Sequence, residues 1–151
     1  MAASIRTASQ FSVFLVNKPG VLAQVTRALA EAKVNVIAMT LVDSQEHGVL
    51  RVVAEKVDLA NETLSRLNLP LTQTEVLCVE LSNRPGALAD IAHLLGTNHI
   101  NINYAYCTSG APGGKTTGVF KVADQSKAIK LLTHEFGKHR DPVIRKAPAR
   151  R

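Results

Sequence analysis

Two stretches of the chain repeat the same kinds of residue at the same spacing. Asn17-Lys18-Pro19-Gly20-Val21-Leu22-Ala23 is matched by Asn83-Arg84-Pro85-Gly86-Ala87-Leu88-Ala89, 66 positions later (Pro19 to Pro85). Each combines an amide, a cation, a proline suited to the first turn of a helix, and a glycine. Each stands between an apolar run and a run of helical period. Such a turn can hold an anion. A helix N-terminus exposes unpaired N–H groups and carries partial positive charge, so a carboxylate placed there is stabilised. Glycine at position 20 or 86 leaves the main chain open to approach. The magnitude is limited: one helix end contributes ~0.3–1 kcal/mol when exposed and ~2 when partly buried. Millimolar binding needs about 4 kcal/mol and micromolar about 8. A working site therefore needs a cleft between modules that excludes water, with the Asn side chains adding hydrogen bonds. A plain strand-to-helix connection would use the same Pro-Gly pair, and the residues alone leave both readings open.

Other constellations are weaker. The segment 109–116 imitates a phosphate loop, but three residues rather than four separate Gly110 from Gly114-Lys115, and a strand rather than a helix is expected after it. A flexible hairpin, placed to cover the site as a lid, is the better reading of that segment. His47, His93, His99, His134 and His139 show no paired ligand spacing, so no metal site is expected. Cys78 and Cys107 are too few for a disulfide framework. Cys78 sits in an apolar run and reads as a small buried hydrophobe in a reducing compartment. Tyr104 and Tyr106 share one face of a strand, which marks them as core or interface residues. No catalytic residue can be nominated, and no enzyme activity is expected.

The elements that position the two turns follow from periodicity. Strands are predicted over 11–16, 36–42 and 49–54, and helices over 19–32 and 58–67, the latter capped by Asp58. The run 71–81 must supply both the last strand of one module and the first of the next, with no flexible linker between them. The second half then repeats the order: a helix over 85–96, strands over 100–107 and 117–123, and a helix capped by Asp124 through 136. A last strand is weakly signalled near 142–144. The repeat holds its register to Val34-Asn35-Val36 and Ile100-Asn101-Ile102. Asn35 and Asn101 fit the left-handed conformation that often follows a helix. The second hairpin is four residues longer, since Gly48-Val49 answers Gly118-Val119 at a spacing of 70. Each half reads strand-helix-strand-strand-helix-strand, an α+β ferredoxin-like split with an antiparallel sheet and helices on one face. The expected division is an N-terminal tail at 1–10, module one at 11–74, module two at 75–145 and a basic tail at 146–151.

Composition narrows the class. A chain of 151 residues with 46% hydrophobic and 20% charged residues is that of a water-soluble globular fold. No run approaches 18 apolar residues, so no membrane-spanning helix is expected, and 1–10 lacks the apolar core of a signal peptide. A cytoplasmic location follows by default. The net charge of +6 raises nucleic acid as a partner. Much of that excess lies after residue 137, where a solvated tail explains it. Sheet-based RNA binders carry aromatic platforms, and only Tyr104, Tyr106 and Phe120 are available here, so nucleic acid is an unlikely partner.

The repeated pattern, strand, Asn-basic-Pro-Gly-aliphatic-Leu, helix, Val/Ile-Asn-Val/Ile, strand, resembles the ACT domain in both halves, over roughly 11–136. The resemblance implies a stand-alone tandem ACT protein: a regulatory small-molecule sensor, allosteric and without cofactor, most often for an amino acid. It implies a ligand site where the first turn of one module faces a neighbouring module. Carried onto this chain, that names Asn17, Lys18, Gly20, Val21 and Leu22, and Asn83, Arg84, Gly86, Ala87 and Leu88. Where Asn17 and Asn83 stand, the family often has an acidic residue. Asn accepts a hydrogen bond from an ammonium group without supplying full charge. A homodimer or other homo-oligomer, and an enzyme regulated in trans, are the partners it implies. The alternative is an oligomerisation module that pairs through open sheet edges without ligand.

Overall fold

The first strand is longer than its apolar part. β1 spans Ala3–Val16, although the sequence predicts a strand only over 11–16 and a tail over 1–10. Residues 3–10 are strand because a partner pairs with them. The reach from Ser4 to Val13 is antiparallel to β4 (Leu71–Ser82), and the reach from Gln10 to Val16 is antiparallel to β3 (His47–Ala54). Backbone donors and acceptors in this polar stretch are thus satisfied inside the sheet. The structure is a computed structural model that describes residues 3–42, 46–108, 110 and 113–139. The basic tail at 146–151 and the strand expected near 142–144 lie outside the described residues. The last described strand is β7 (Gly137–His139), parallel to the start of β1.

The remaining elements fall in the expected order. They are α1 (Val21–Glu31), β2 (Val36–Val42), α2 (Val57–Ser65), α3 (Ala87–Thr97), β5 (Ile102–Thr108), β6 (Lys115–Val122) and α4 (Gln125–Phe136). One sheet runs β2-β3-β1-β4-β6-β5 and curls until its two outer strands, β2 and β5, approach each other. The fold is two tandem ferredoxin-like modules fused through two strands. β4 closes the sheet of module one and opens that of module two. The first half of β1 lies beside β4 where a fourth strand of module two would stand.

Alternation along the shared strands sorts the cores. On the helix side, Phe11, Val13 and Leu15 pack with Val25, Leu29, Leu50, Val52 and Leu64. Ile5, Leu77, Val79 and Leu81 pack with Ile91, Leu95, Phe120 and Leu132. Each large side chain so buried stabilises the fold by ~1.5–3 kcal/mol relative to exposure. The opposite face is also closed in its centre, where the curl buries Ala38, Val53, Val76, Cys78 and Val119.

Local details follow the duplication. The β-irregularity between Val36 and Ala38 recurs between Ile102 and Tyr104. Two expectations are corrected. The left-handed residues after the helices are Lys33 and His99, with φ of 56° and 57°, rather than Asn35 and Asn101. The two asparagines instead use their carbonyls to accept from Glu55 and Ala123 N–H. Asp58 does not cap α2. The cap position is Lys56, left-handed and without a side-chain hydrogen bond, and Asp58 lies in the first turn. Asp124 does cap α4, accepting from the Lys127 N–H at 3.0 Å.

Candidate functional site

Both repeated turns are built alike. Lys18 N–H donates to the Val16 carbonyl and Gln24 N–H to the Gly20 carbonyl. In the second copy Arg84 N–H donates to Ser82 and Asp90 N–H to Gly86. Gly20 and Gly86 are the N-cap residues of α1 and α3, with φ of 88° and 89°. A residue with a Cβ resists that left-handed conformation, which explains glycine at both positions. The turns do not meet. β1 and β4 are antiparallel, so their C-terminal ends, which carry the turns, lie at opposite ends of the sheet. In that register Asn83 falls opposite position 1, and at ~3.3 Å per residue the separation along the strands is roughly 50 Å. One small ligand cannot touch both turns of the same chain.

The second turn borders a cavity of about 270 Å³, near the lower end of small-molecule pockets. Asn83, Arg84, Gly86, Ala87 and Leu88, the five second-turn residues nominated from the sequence, all line it. Ser82, Cys107, Thr108 and Thr116 complete the lining, and the sequence did not nominate them. They come from the end of β4 and from the hairpin strands β5 and β6. The only sequence signal was the longer second hairpin that joins β5 to β6. Leu88 is 43% exposed, and Ala87 is buried. In the first turn Asn17, Lys18 and Gly20 are exposed, and Val21 and Leu22 are half-buried.

The hairpins reach back to the turns. Asn17 N–H donates to Glu46. Asn83 is held more fully: its N–H donates to the Gly114 carbonyl at 2.8 Å, its carbonyl accepts from Gly113 N–H, and its side-chain amide donates to the Gly110 carbonyl at 2.9 Å. The amide nominated for a ligand thus fixes the wall beside the cavity. Arg84 Nη1 donates to the Pro85 carbonyl and Nη2 meets Asp90 Oδ2 at 3.0 Å. Thr116 Oγ1 donates to the Thr108 carbonyl. Cys107 is exposed, yet partial desolvation raises its thiol above the ordinary range, the opposite of the shift that activates a nucleophile.

On the sheet's opposite face the two modules share a polar seam. Gln10 is fully buried. Its Nε2 donates to Tyr104 Oη at 2.7 Å, and Tyr106 Oη donates to its Oε1 at 2.8 Å. The Arg51 guanidinium lies 4.0 Å from the centroid of the Tyr104 ring. Tyr104 and Tyr106 are thus interface residues between the modules. Among the described residues no group of three His, Cys, Asp or Glu side chains could hold a metal, and no helix is long and apolar enough to cross a membrane.

The site stands on a doubled ferredoxin-like sheet with a glycine-capped helix start at the end of each module's first strand. Residues 6–138 match the family described as ACT domain pair, and the chain belongs to it. Among solved structures it is similar to protein BT0572 from Bacteroides thetaiotaomicron, with 29% identity over 85% of this chain and 88% of that one, and a TM-score of 0.79. The ligand-free regulatory subunit of aspartate kinase from Thermus thermophilus shares 16% identity over 90% and 97% of the two chains, with a TM-score of 0.66. A structure of aspartokinase alpha and beta subunits shares 21% identity over 89% and 96%, with a TM-score of 0.61. At these last two identities the likeness is one of fold. A comparison with curated protein sequences found no match.

Proposed function

We propose that this ACT domain pair is a non-catalytic regulatory module that binds an amino acid at its second turn. The observation that carries this reading is the cavity against the start of α3, which all five nominated second-turn residues line. Family membership supports a regulatory ligand-binding role, and the fold likeness to an aspartate kinase regulatory subunit points the same way. Since the turns of one chain lie at opposite ends of its sheet, a site between two turns requires a second copy. A homodimer that sets the first turn of one chain against the second turn of its partner would supply it. Ligand then favours one packing by differential affinity, and an enzyme in trans reads that packing.

Thermal unfolding of the chain with each of the twenty amino acids at millimolar concentration tests this. A one-site ligand at one hundred times its Kd adds ~2.7 kcal/mol of stability, or roughly 5–11 °C in Tm for a chain of this size. No saturable shift with any of the twenty refutes the reading. Oligomerisation without ligand is the second reading. It is favoured by the edge strand β2, where Met39 and Leu41 are 37% and 46% exposed. A tight dimer by light scattering, unchanged by every amino acid, would support it.

A further inference from the structure

We infer that module one carries a docking surface for a second, different protein, on the face of the sheet that bears the seam, and that this surface takes an apolar segment with a carboxylate beside it. The inference stands whether or not the second turn holds an amino acid. Phe14, Val49 and Val42 lie side by side across β1, β3 and β2, and Val16 follows Phe14 on the same face. Phe14, Val16 and Val42 are 39%, 43% and 46% exposed, and Val49 is half-buried. Single exposed apolar side chains are ordinary. Four in one block across three strands mark a contact surface.

The duplication supplies the comparison. The row that answers Phe14, Val49 and Val42 in module two is Glu80, Thr117 and Thr108, paired across its strands in the same way. Ser82 answers Val16. Glu80 is ion-paired with Lys115. The same place on the same fold is thus polar in module two, so the sheet itself does not demand apolar residues there. Module one keeps them at exposed positions.

The next row inward is Ser12, Arg51 and Thr40. Arg51 is half-buried, and its guanidinium lies over the Tyr104 ring. Among the described residues no acceptor reaches it, and its Nε is buried without a hydrogen bond. Buried donors are nearly always paired. A carboxylate laid along the guanidinium would fill that fork. Arg51 stands two residues from Val49 on one strand, ~7 Å away. One short segment can therefore rest an apolar side chain on the Phe14 row and an acid on Arg51. The three outer rows of this face hold no Asp or Glu, so the acid must come from outside them. A second copy packed face to face does not bring it. A two-fold contact would gather two Arg51 cations on one interface with no acid between them, and like charges oppose such a pairing.

The test uses the full chain. Random twelve-residue peptides displayed on phage are selected on it, and the recovered sequences are synthesised and titrated by fluorescence anisotropy. They should share two or more large apolar residues and an Asp or Glu. Phe14→Ser should weaken them ~10-fold or more, as loss of a central contact residue does. Val42→Ser takes its place if circular dichroism shows that Phe14→Ser does not fold. Changing the peptide's acid to its amide should weaken binding to the unsubstituted chain and make no difference to Arg51→Gln. A merely structural role of Arg51 would not produce that coupling. Glu80→Gln, at the answering position of module two, should leave the affinity unchanged. No enrichment, binding that survives the apolar-row variant, or an acid-to-amide effect equal in both chains overturns the inference. A dimer in sedimentation velocity that Phe14→Ser dissociates assigns the surface to a second copy and overturns it as well.

Discussion

Tyr106→Phe isolates one hydrogen bond at the seam between the modules. The ring stays, so packing against Ala38, Val76, Cys78 and Val119 is retained. What goes is the hydroxyl that donates to Gln10 Oε1 at 2.8 Å. Gln10 has no exposed surface, so water cannot replace the donor. A buried acceptor left without a partner costs ~1–3 kcal/mol, which for a chain of this length lowers Tm by roughly 2–12 °C. The amide is not abandoned entirely, since Nε2 keeps its bond to Tyr104 Oη at 2.7 Å. Urea unfolding of four chains measures the coupling: unsubstituted, Tyr106→Phe, Gln10→Met, and both together. In the Gln10→Met background no acceptor is orphaned, so Tyr106→Phe should lose most of its effect. A Tyr106→Phe loss below ~0.5 kcal/mol, or a loss equally large in both backgrounds, refutes the claim that this bond joins the modules.

Three further outcomes are expected. Burial raises the pKa of Tyr106 and Cys78 in the folded chain, so the unfolded chain loses these protons first and stability falls as pH rises above about 8.5. Tm measured from pH 7 to 10.5 should decline, and Tyr106→Phe should flatten the upper part of that decline. Exposed Cys107 should react with a thiol reagent in the native chain, with Cys78 protected until unfolding; equal rates would contradict the buried position of Cys78. Gly20→Ala should cost ~1–2 kcal/mol by urea unfolding through backbone conformation alone, because nothing lies within 4 Å of the added Cβ.

The turns were legible because their signal is local. Pro and Gly fix a helix start within seven residues, and a second copy in register confirms it. Element order was legible for the same reason, since period two and period 3.6 are written into each run. What could not be read depends on residues far apart in sequence. Residues 3–10 form strand only because β4 pairs with them, and Gln10 looks like a surface residue until Tyr104 and Tyr106 arrive from β5. The far wall of the cavity comes from Cys107, Thr108 and Thr116, whose neighbours give no sign that they will face Arg84. The left-handed residues after α1 and α3 defeated propensity. Lys33 and His99 accept that conformation two positions before the asparagines better suited to it, because the helix ends there and the next strand must begin.

The shared strands bear on regulation more than the duplication does. Two independent modules joined by a linker could each bind a ligand without consequence for the other. Here β1 completes the sheets of both modules, and β4 is common to both. β5 carries the argument further. Its alternation sets Tyr104 and Tyr106 at the seam on one face and turns Cys107, which lines the cavity, to the other. A ligand that presses on Cys107 acts on the same strand that Gln10 of the first module holds through two tyrosines. A close-packed sheet does not absorb such a push in one residue. The energy of moving β5 is therefore set in part by the seam, and under the proposed function a ligand at the second turn would be linked to the packing of the first module by thermodynamic reciprocity.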